Sequence, residues 1–132
     1  MFIDASAIVA IIAREPDHED LEQRLKRHRR RAISAIAAYE ATLALARLRN
    51  LTLSEAQDIV LQFKNLYAIS ETPIEFRLAA TALDAFNRFG KGRGHKAALN
   101  LGDCFSYACA RQLKVPLLFK GGDFVHTDIQ QA

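Results

Sequence analysis

Residues 115–119 read VPLLF, and KGGD follows at 120–123. A short continuous apolar run, entered through Pro116 and left through a Gly-rich turn, predicts a strand buried on both faces. The carboxylate of Asp123 stands just beyond its end. The chain opens on the same pattern: in MFIDAS (1–6) the segment FID (2–4) reads as a short buried strand, with Asp4 where the apolar run stops. RAIS (31–34) and AIS (68–70) supply two further short strands. Helical segments separate them. Ser6 is placed to cap a helix with Ile8, Val9, Ile11 and Ile12 on its apolar face, and Pro16 with Asp17 starts the next, which turns Leu21 and Leu25 inward. Ser34 precedes an Ala-rich helix reaching about Arg49, and Ser54 with Glu55 opens another that ends near Tyr67. A helix is expected from Pro73 to about Phe89, stopped by Gly90, and Asn100 opens one over 101–113. Strands alternating with helices predict an α/β domain with a parallel sheet covered on both faces, and in such sheets sites form beyond the carboxyl ends of the strands.

The chain of 132 residues reads as a single domain, 1–132, large enough to bury a core without staples. Half of its residues are apolar and a quarter charged, the balance of a soluble globular protein. No apolar run is long enough to span a membrane and no signal-peptide pattern opens the chain, so a cytoplasmic protein without a membrane partner is expected. Cys104 and Cys109, five apart on one helix, point roughly 140° from each other, which argues against a disulfide. The net charge of +3 is modest, but its layout is uneven: RLKRHRRR (24–31) and GKGRGHK (90–96) are basic stretches suited to a polyanion or, more plainly, to solvent.

Four acids carry the chemistry. Asp4 and Asp123 follow two strand ends, Asp103 lies in the first turn of the helix opened by Asn100, and Glu40 lies in the second turn of the helix after Ser34. On that helix Ile36, Glu40 and Leu43 fall within about 60° of one another, so Glu40 shares a face with apolar neighbours. Each acid alone fits a capping or helix-dipole role. Together they converge on one end of the sheet, where two carboxylates about 4 Å apart repel by about 4 kcal/mol at an effective dielectric near 20. A hard divalent cation, Mg²⁺ or Mn²⁺, answers that repulsion with oxygen ligation. Lys120 is the one cation adjoining these acids in sequence.

FIDASA at the start, AAYEA around Glu40, LNLGDCFSYACA around Asp103 and LLFKGGDFVHTDI near the end resemble the PIN-domain ribonucleases, and more narrowly the VapC-type toxins of bacterial type II toxin–antitoxin pairs. The resemblance spans essentially the whole chain. It implies a three-layer α/β/α sandwich with a central, mainly parallel sheet, and a metal-dependent endoribonuclease whose catalytic and metal-binding acids are Asp4, Glu40, Asp103 and Asp123. It further implies that Ser6 helps hold Asp4, that Asp128 is an accessory that caps the end of the fold, that the protein pairs as a homodimer, and that a cognate VapB-type antitoxin silences it. Substrate RNA is expected on Lys91, Arg93 and Lys96, which shortly precede Asp103, and on Lys120, three residues before Asp123. The apolar stripes Ile8–Ile12 and Leu43–Leu48 are offered to the antitoxin or a dimer partner, against the plainer reading of ordinary core.

Rival readings are weaker. GGDF (121–124) matches the diguanylate cyclase signature but stands too near the end of the sequence, and Gly90, Gly92 and Gly94 lack the GxxxxGK[ST] phosphate loop. Haloacid-dehalogenase-like enzymes need a second Asp two residues after the first, where this chain has Ser6. His95 and His126 would make a metal-free nuclease pair. A PIN nuclease of RNA processing rather than a toxin, and a non-catalytic α/β module that binds RNA or protein, complete the alternatives.

Overall fold

The computed structural model describes residues 1–132. Strands β1 (Phe2–Ile3), β2 (Ala32–Ser34), β3 (Ser70–Thr72) and β4 (Leu117–Leu118) form one sheet in the order β3-β2-β1-β4, and every pairing is parallel. Side chains alternate across it with the period of a strand. Phe2, Ala32 and Leu117 enter the core on one face, and Ile3, Ile33 and Leu118 enter the core on the other. Against the second face pack α1 (Ala5–Ala13), α2 (His18–Arg27), α3 (Ala35–Arg49) and α4 (Leu53–Leu66). Against the first pack α5 (Leu78–Phe89) and α6 (Leu101–Leu113). The result is the expected α/β/α sandwich. Its close approach of helix to sheet depends on fully buried small residues: Ala7 and Ala10 on α1, Ala37 and Ala41 on α3, Ala108 and Ala110 on α6. No helix is long and apolar enough to cross a membrane.

The strand order decides where a site can form. Successive crossovers run from β1 to β2 to β3, and the chain then returns to place β4 on the other side of β1. The switch point is therefore between β1 and β4, the crevice in which open α/β sheets bind ligands. Asp4 leaves β1 there, and the loop carrying Asp123 leaves β4 beside it.

Several boundaries differ from the sequence expectations. Asp4, not Ser6, is the N-cap of α1, because the strand ends at Ile3 and the helix begins at once. Thr52 rather than Ser54 caps α4, in a reciprocal capping box with Glu55. β3 begins at Ser70, two residues later than AIS suggests, since Ala68 takes a left-handed conformation (φ 48°) in leaving α4. α5 starts at Leu78, five residues after Pro73, behind a turn in which the Leu78 N–H donates to the Glu75 carbonyl. β4 is shorter than VPLLF because Pro116 offers no N–H and the Val115 N–H returns to Ala110 on α6. Of the apolar stripes, Ile8 and Ile11 are core, whereas Leu43 and Leu48 face solvent. Cys104 and Cys109 are buried and free.

The C-terminal segment lies against β4, with the Leu117 N–H donating to Gln130 and the Ala132 N–H donating to Leu117. Asp128 fixes it: Oδ1 accepts from the Tyr107 hydroxyl at 2.6 Å and Oδ2 from Arg88 Nη2 at 2.8 Å. Both oxygens are thereby occupied, so Asp128 is a tail anchor. Asp128→Ala strands the hydroxyl of an otherwise buried tyrosine and is expected to cost about 1–3 kcal/mol, read from the midpoint of urea unfolding.

Candidate active site

Asp4 is 3 % exposed. Its Oδ2 accepts from the Ser6 N–H at 2.9 Å and the Ser6 hydroxyl at 2.5 Å, while Oδ1, also buried, has no hydrogen-bond partner. A carboxylate oxygen removed from water and left unpaired is costly unless something positive or protic meets it. Ser6 is held in turn: its Oγ accepts from the Lys120 N–H at 3.0 Å, and the Asp4 N–H donates to the Leu118 carbonyl at 2.9 Å. The exits of β1 and β4 are thus stitched together through Ser6.

Asp103 and Asn100 form a capping box at the start of α6: Asp103 Oδ2 accepts from the Asn100 N–H at 2.9 Å, and Asn100 Oδ1 from the Asp103 N–H at 2.9 Å. As at Asp4, one oxygen serves the helix and the other is left over. Glu40 reaches this place from α3 by lying across Gly102. A β-carbon at Gly102 would fall 2.0 Å from Glu40 Oε2, so the carboxylate occupies the space that any side chain there would fill. The sequence carries a signal for Gly102: glycine within a helix costs about 1 kcal/mol relative to alanine, and no cap or turn demands it there. Asp123 is exposed, and its side chain caps nothing.

The four carboxylates feel one another. Burial first, then the charges of Asp4 and Asp103, raise the Glu40 pKa from an ordinary 4.5 to about 7. Burial likewise raises Asp103 from 3.8 to about 6, against the hydrogen bond from Asn100, with Asp4 and Asp123 adding to the rise. Pairwise repulsion therefore links all four expected acids at the switch point. They line the site without closing on a point, and no three of them already form a ligand cage. The donor set is oxygen throughout, one buried oxygen of Asp4 has no hydrogen-bond partner, and Gly102 leaves the berth for Glu40, so these residues suit a hard divalent cation.

The expected RNA contacts divide. Lys91 and Lys96 are exposed and unpaired; Arg93 is exposed, braced by Asn87 Oδ1 at 3.0 Å and by the Phe86 ring. Their loop is pinned at its base by the Lys91 N–H to Leu99 and the Leu99 N–H to Phe89, and positive φ values at Gly92 (80°) and Gly94 (75°) explain its glycines. The ammonium of Lys120 is engaged by Glu15 and by Asp17, the latter at 3.1 Å. Within 24–31, Arg24 pairs with Asp20, Lys26 pairs with Glu22, and Arg31 donates to the carbonyls of Leu25, Lys26 and Tyr67. Arg27, Arg29 and Arg30 remain exposed, but they precede β2 and so lie at the amino end of the sheet, away from the acids. The His95 ring accepts from the Ala97 N–H and packs edge-on to Phe89, a structural use of that histidine.

A family model described as "PIN domain" matches residues 1–130. A VapC ribonuclease of Rhizobium meliloti is 41% identical over 139 aligned residues, covering 97% of this chain and 98% of the relative. Ribonuclease VapC28 of Mycobacterium tuberculosis is 38% identical over 132 residues, covering 100% and 97% of the two chains. Among solved structures, the M. tuberculosis toxin VapC20, which cleaves the sarcin–ricin loop, matches with a TM-score of 0.74 at 17% identity over 99% of this chain and 97% of that one, a likeness of fold.

Acids whose pKa is higher in the folded state bind protons more tightly there, so their contribution to stability is complete below the unfolded value and is lost as pH rises through the folded one. For metal-free protein, stability is therefore expected to fall from about pH 4 to pH 7 on account of Asp103 and Glu40. Glu40→Gln flattens that slope and leaves the variant more stable than the parent at pH 8. Melting temperatures across a pH series in chelator measure both.

Proposed function

Because the chain belongs to the PIN-domain family and, within it, to the VapC ribonucleases, we propose that the acids at the β1–β4 switch point are its catalytic centre and act with bound Mg²⁺ or Mn²⁺. The protein is an endoribonuclease toxin. The observation that carries the site assignment is the buried, unpartnered Oδ1 of Asp4 in the repulsive field of Glu40 and Asp103.

Asp4, Asp103 and Asp123 are the residues that would hold the cation, with Glu40 beside them. When bound, the ion supplies Lewis-acid polarisation of a phosphate oxygen and a more acidic water. The chain does the rest. Ser6 fixes the orientation of Asp4, and Asn100 fixes that of Asp103. Glu40, held over Gly102, orients the attacking water and takes its proton, a task suited to a carboxylate whose affinity for protons is raised by its surroundings. Attack at phosphorus breaks the bond to the 3′-oxygen, leaving a 5′-phosphate and, once that oxygen is protonated, a 3′-hydroxyl. Lys91, Arg93 and Lys96 meet phosphates that flank the scissile one. RNA is the substrate, and family membership implies a VapB-type antitoxin that silences the enzyme and a homodimeric state.

Antitoxin-free protein incubated with total cellular RNA should produce discrete fragments with Mg²⁺ and none with chelator. Asp103→Asn, which retains an acceptor for Asn100, should abolish them, and Glu40→Gln should slow cleavage by roughly 100-fold or more. Cleavage that persists in Asp103→Asn or in chelator would overturn the assignment. Added Mg²⁺ should raise the melting temperature of the parent protein and not that of Asp103→Asn.

Removing the charges of Lys91 and Arg93 together should weaken RNA binding and lower the slope of log affinity against log salt by about 2. An unchanged slope across a salt titration would remove this loop from the RNA interface.

A further inference from the structure

Lys120 has two ends that do different things. Its backbone N–H donates to Ser6 Oγ, the hydroxyl that in turn donates to Asp4 Oδ2. Its ammonium is gripped by Glu15 and by Asp17 at the turn between α1 and α2. That turn is itself closed: the Glu15 N–H donates to Ala10, and the Glu15 carbonyl accepts from the His18 N–H at 2.9 Å and lies 2.7 Å from His18 Nδ1. The lysine therefore spans α1 from its first turn, at Ser6, to the segment beyond its last residue, Ala13. Downstream of it, Gly121 (φ 97°) and Gly122 have nothing within 4 Å of the position a β-carbon would take. Beyond Asp123 the chain is held by Phe124, which is buried and packs on Phe119; on the near side the ion pairs of Lys120 are the side-chain restraint that precedes the two glycines.

We propose that Lys120 is a positioning residue, a strut that uses Glu15 and Asp17 as its abutment to hold the β4 exit against Ser6 and so to fix Asp4 and Asp123 relative to each other. This rests on the site assignment above. It also gives Glu15 and Asp17 a role that neither helix capping nor the metal provides: the Asp17 side chain makes no cap hydrogen bond to α2. A lysine serves because its long stem crosses the distance and its compact ammonium, with three donors, can face two carboxylates at once.

The decisive comparison is between Lys120→Met and the double variant Glu15→Gln/Asp17→Asn. A strut fails in the same way from either end. Both variants should lose about tenfold or more in kcat and in Mg²⁺ affinity, the size of effect seen when the partners of metal ligands are removed, with KM for RNA unchanged. Lys120→Arg should recover most of the loss. If Lys120 instead contacts phosphate, the two variants diverge: Lys120→Met raises KM and lowers the salt slope by about 1, while the double variant frees the lysine and tightens RNA binding. That divergence would overturn the proposal, as would parent-like kcat and Mg²⁺ affinity in both variants. Amide hydrogen exchange of the metal-free, RNA-free protein separates this idea from the nuclease assignment. Faster exchange at Ser6 and Lys120 in both variants supports the strut even if the parent cleaves nothing, and parent-like exchange sinks the strut even if the parent is an active nuclease.

Discussion

Repulsion among carboxylates at the β1–β4 switch point is the constraint on which the rest of this structure depends. Burial first, then mutual charge, raise the proton affinity of Glu40 and Asp103, so ionising the whole cluster works against the fold. The fold answers by giving two of the acids a second occupation. Asp4 and Asp103 each commit one oxygen to the start of a helix and keep the other for the site. The helix start orients the carboxylate without using up both of its oxygens. Glu40 has no such anchor and depends on the missing side chain of Gly102. The remainder of the molecule supplies the stability this arrangement consumes: two apolar layers on an all-parallel sheet, packed close through alanine.

Much of this was legible in the sequence. FID ends in Asp4 and VPLLF is followed four residues on by Asp123, and period and composition together gave the strand–helix alternation from which the parallel sheet follows. The capping box of Asn100 with Asp103 was readable because both partners lie in one helical turn. What could not be read depends on partners distant in sequence. Gly102 has meaning only once α3 lays Glu40 across it, 62 residues away in the chain. Lys120 looked like a free cation because Glu15 and Asp17, which neutralise it, belong to the first helical pair. Local detail failed where two candidates competed. Asp4 outbid Ser6 as a cap because the strand stops one residue earlier than an apolar pattern can show, and Ala68, in a conformation its side chain disfavours, displaced β3 by two residues.

The basic residues divide in the same way. A run such as RLKRHRRR suggests a nucleic-acid surface, yet Arg31 is spent on three backbone carbonyls and Arg24 and Lys26 on acids one turn away. The exposed arginines that remain are at the wrong end of the sheet to flank a scissile phosphate. GKGRGHK is shorter and less charged, but it leads directly into the helix that carries Asp103. Position relative to the strand ends, not charge density, separates the two.

The strand order has a consequence in time as well as in space. β1 is synthesised well before β4, yet they are neighbours in the sheet. Asp4 therefore leaves the ribosome long before Asp123, and the wall of the site that β4 provides does not exist until that strand has emerged and paired. A nascent chain carries an incomplete set of acids on an unfinished sheet. A ribonuclease built this way is made beside abundant RNA, and its topology defers the assembled site until β4 has emerged and paired with β1.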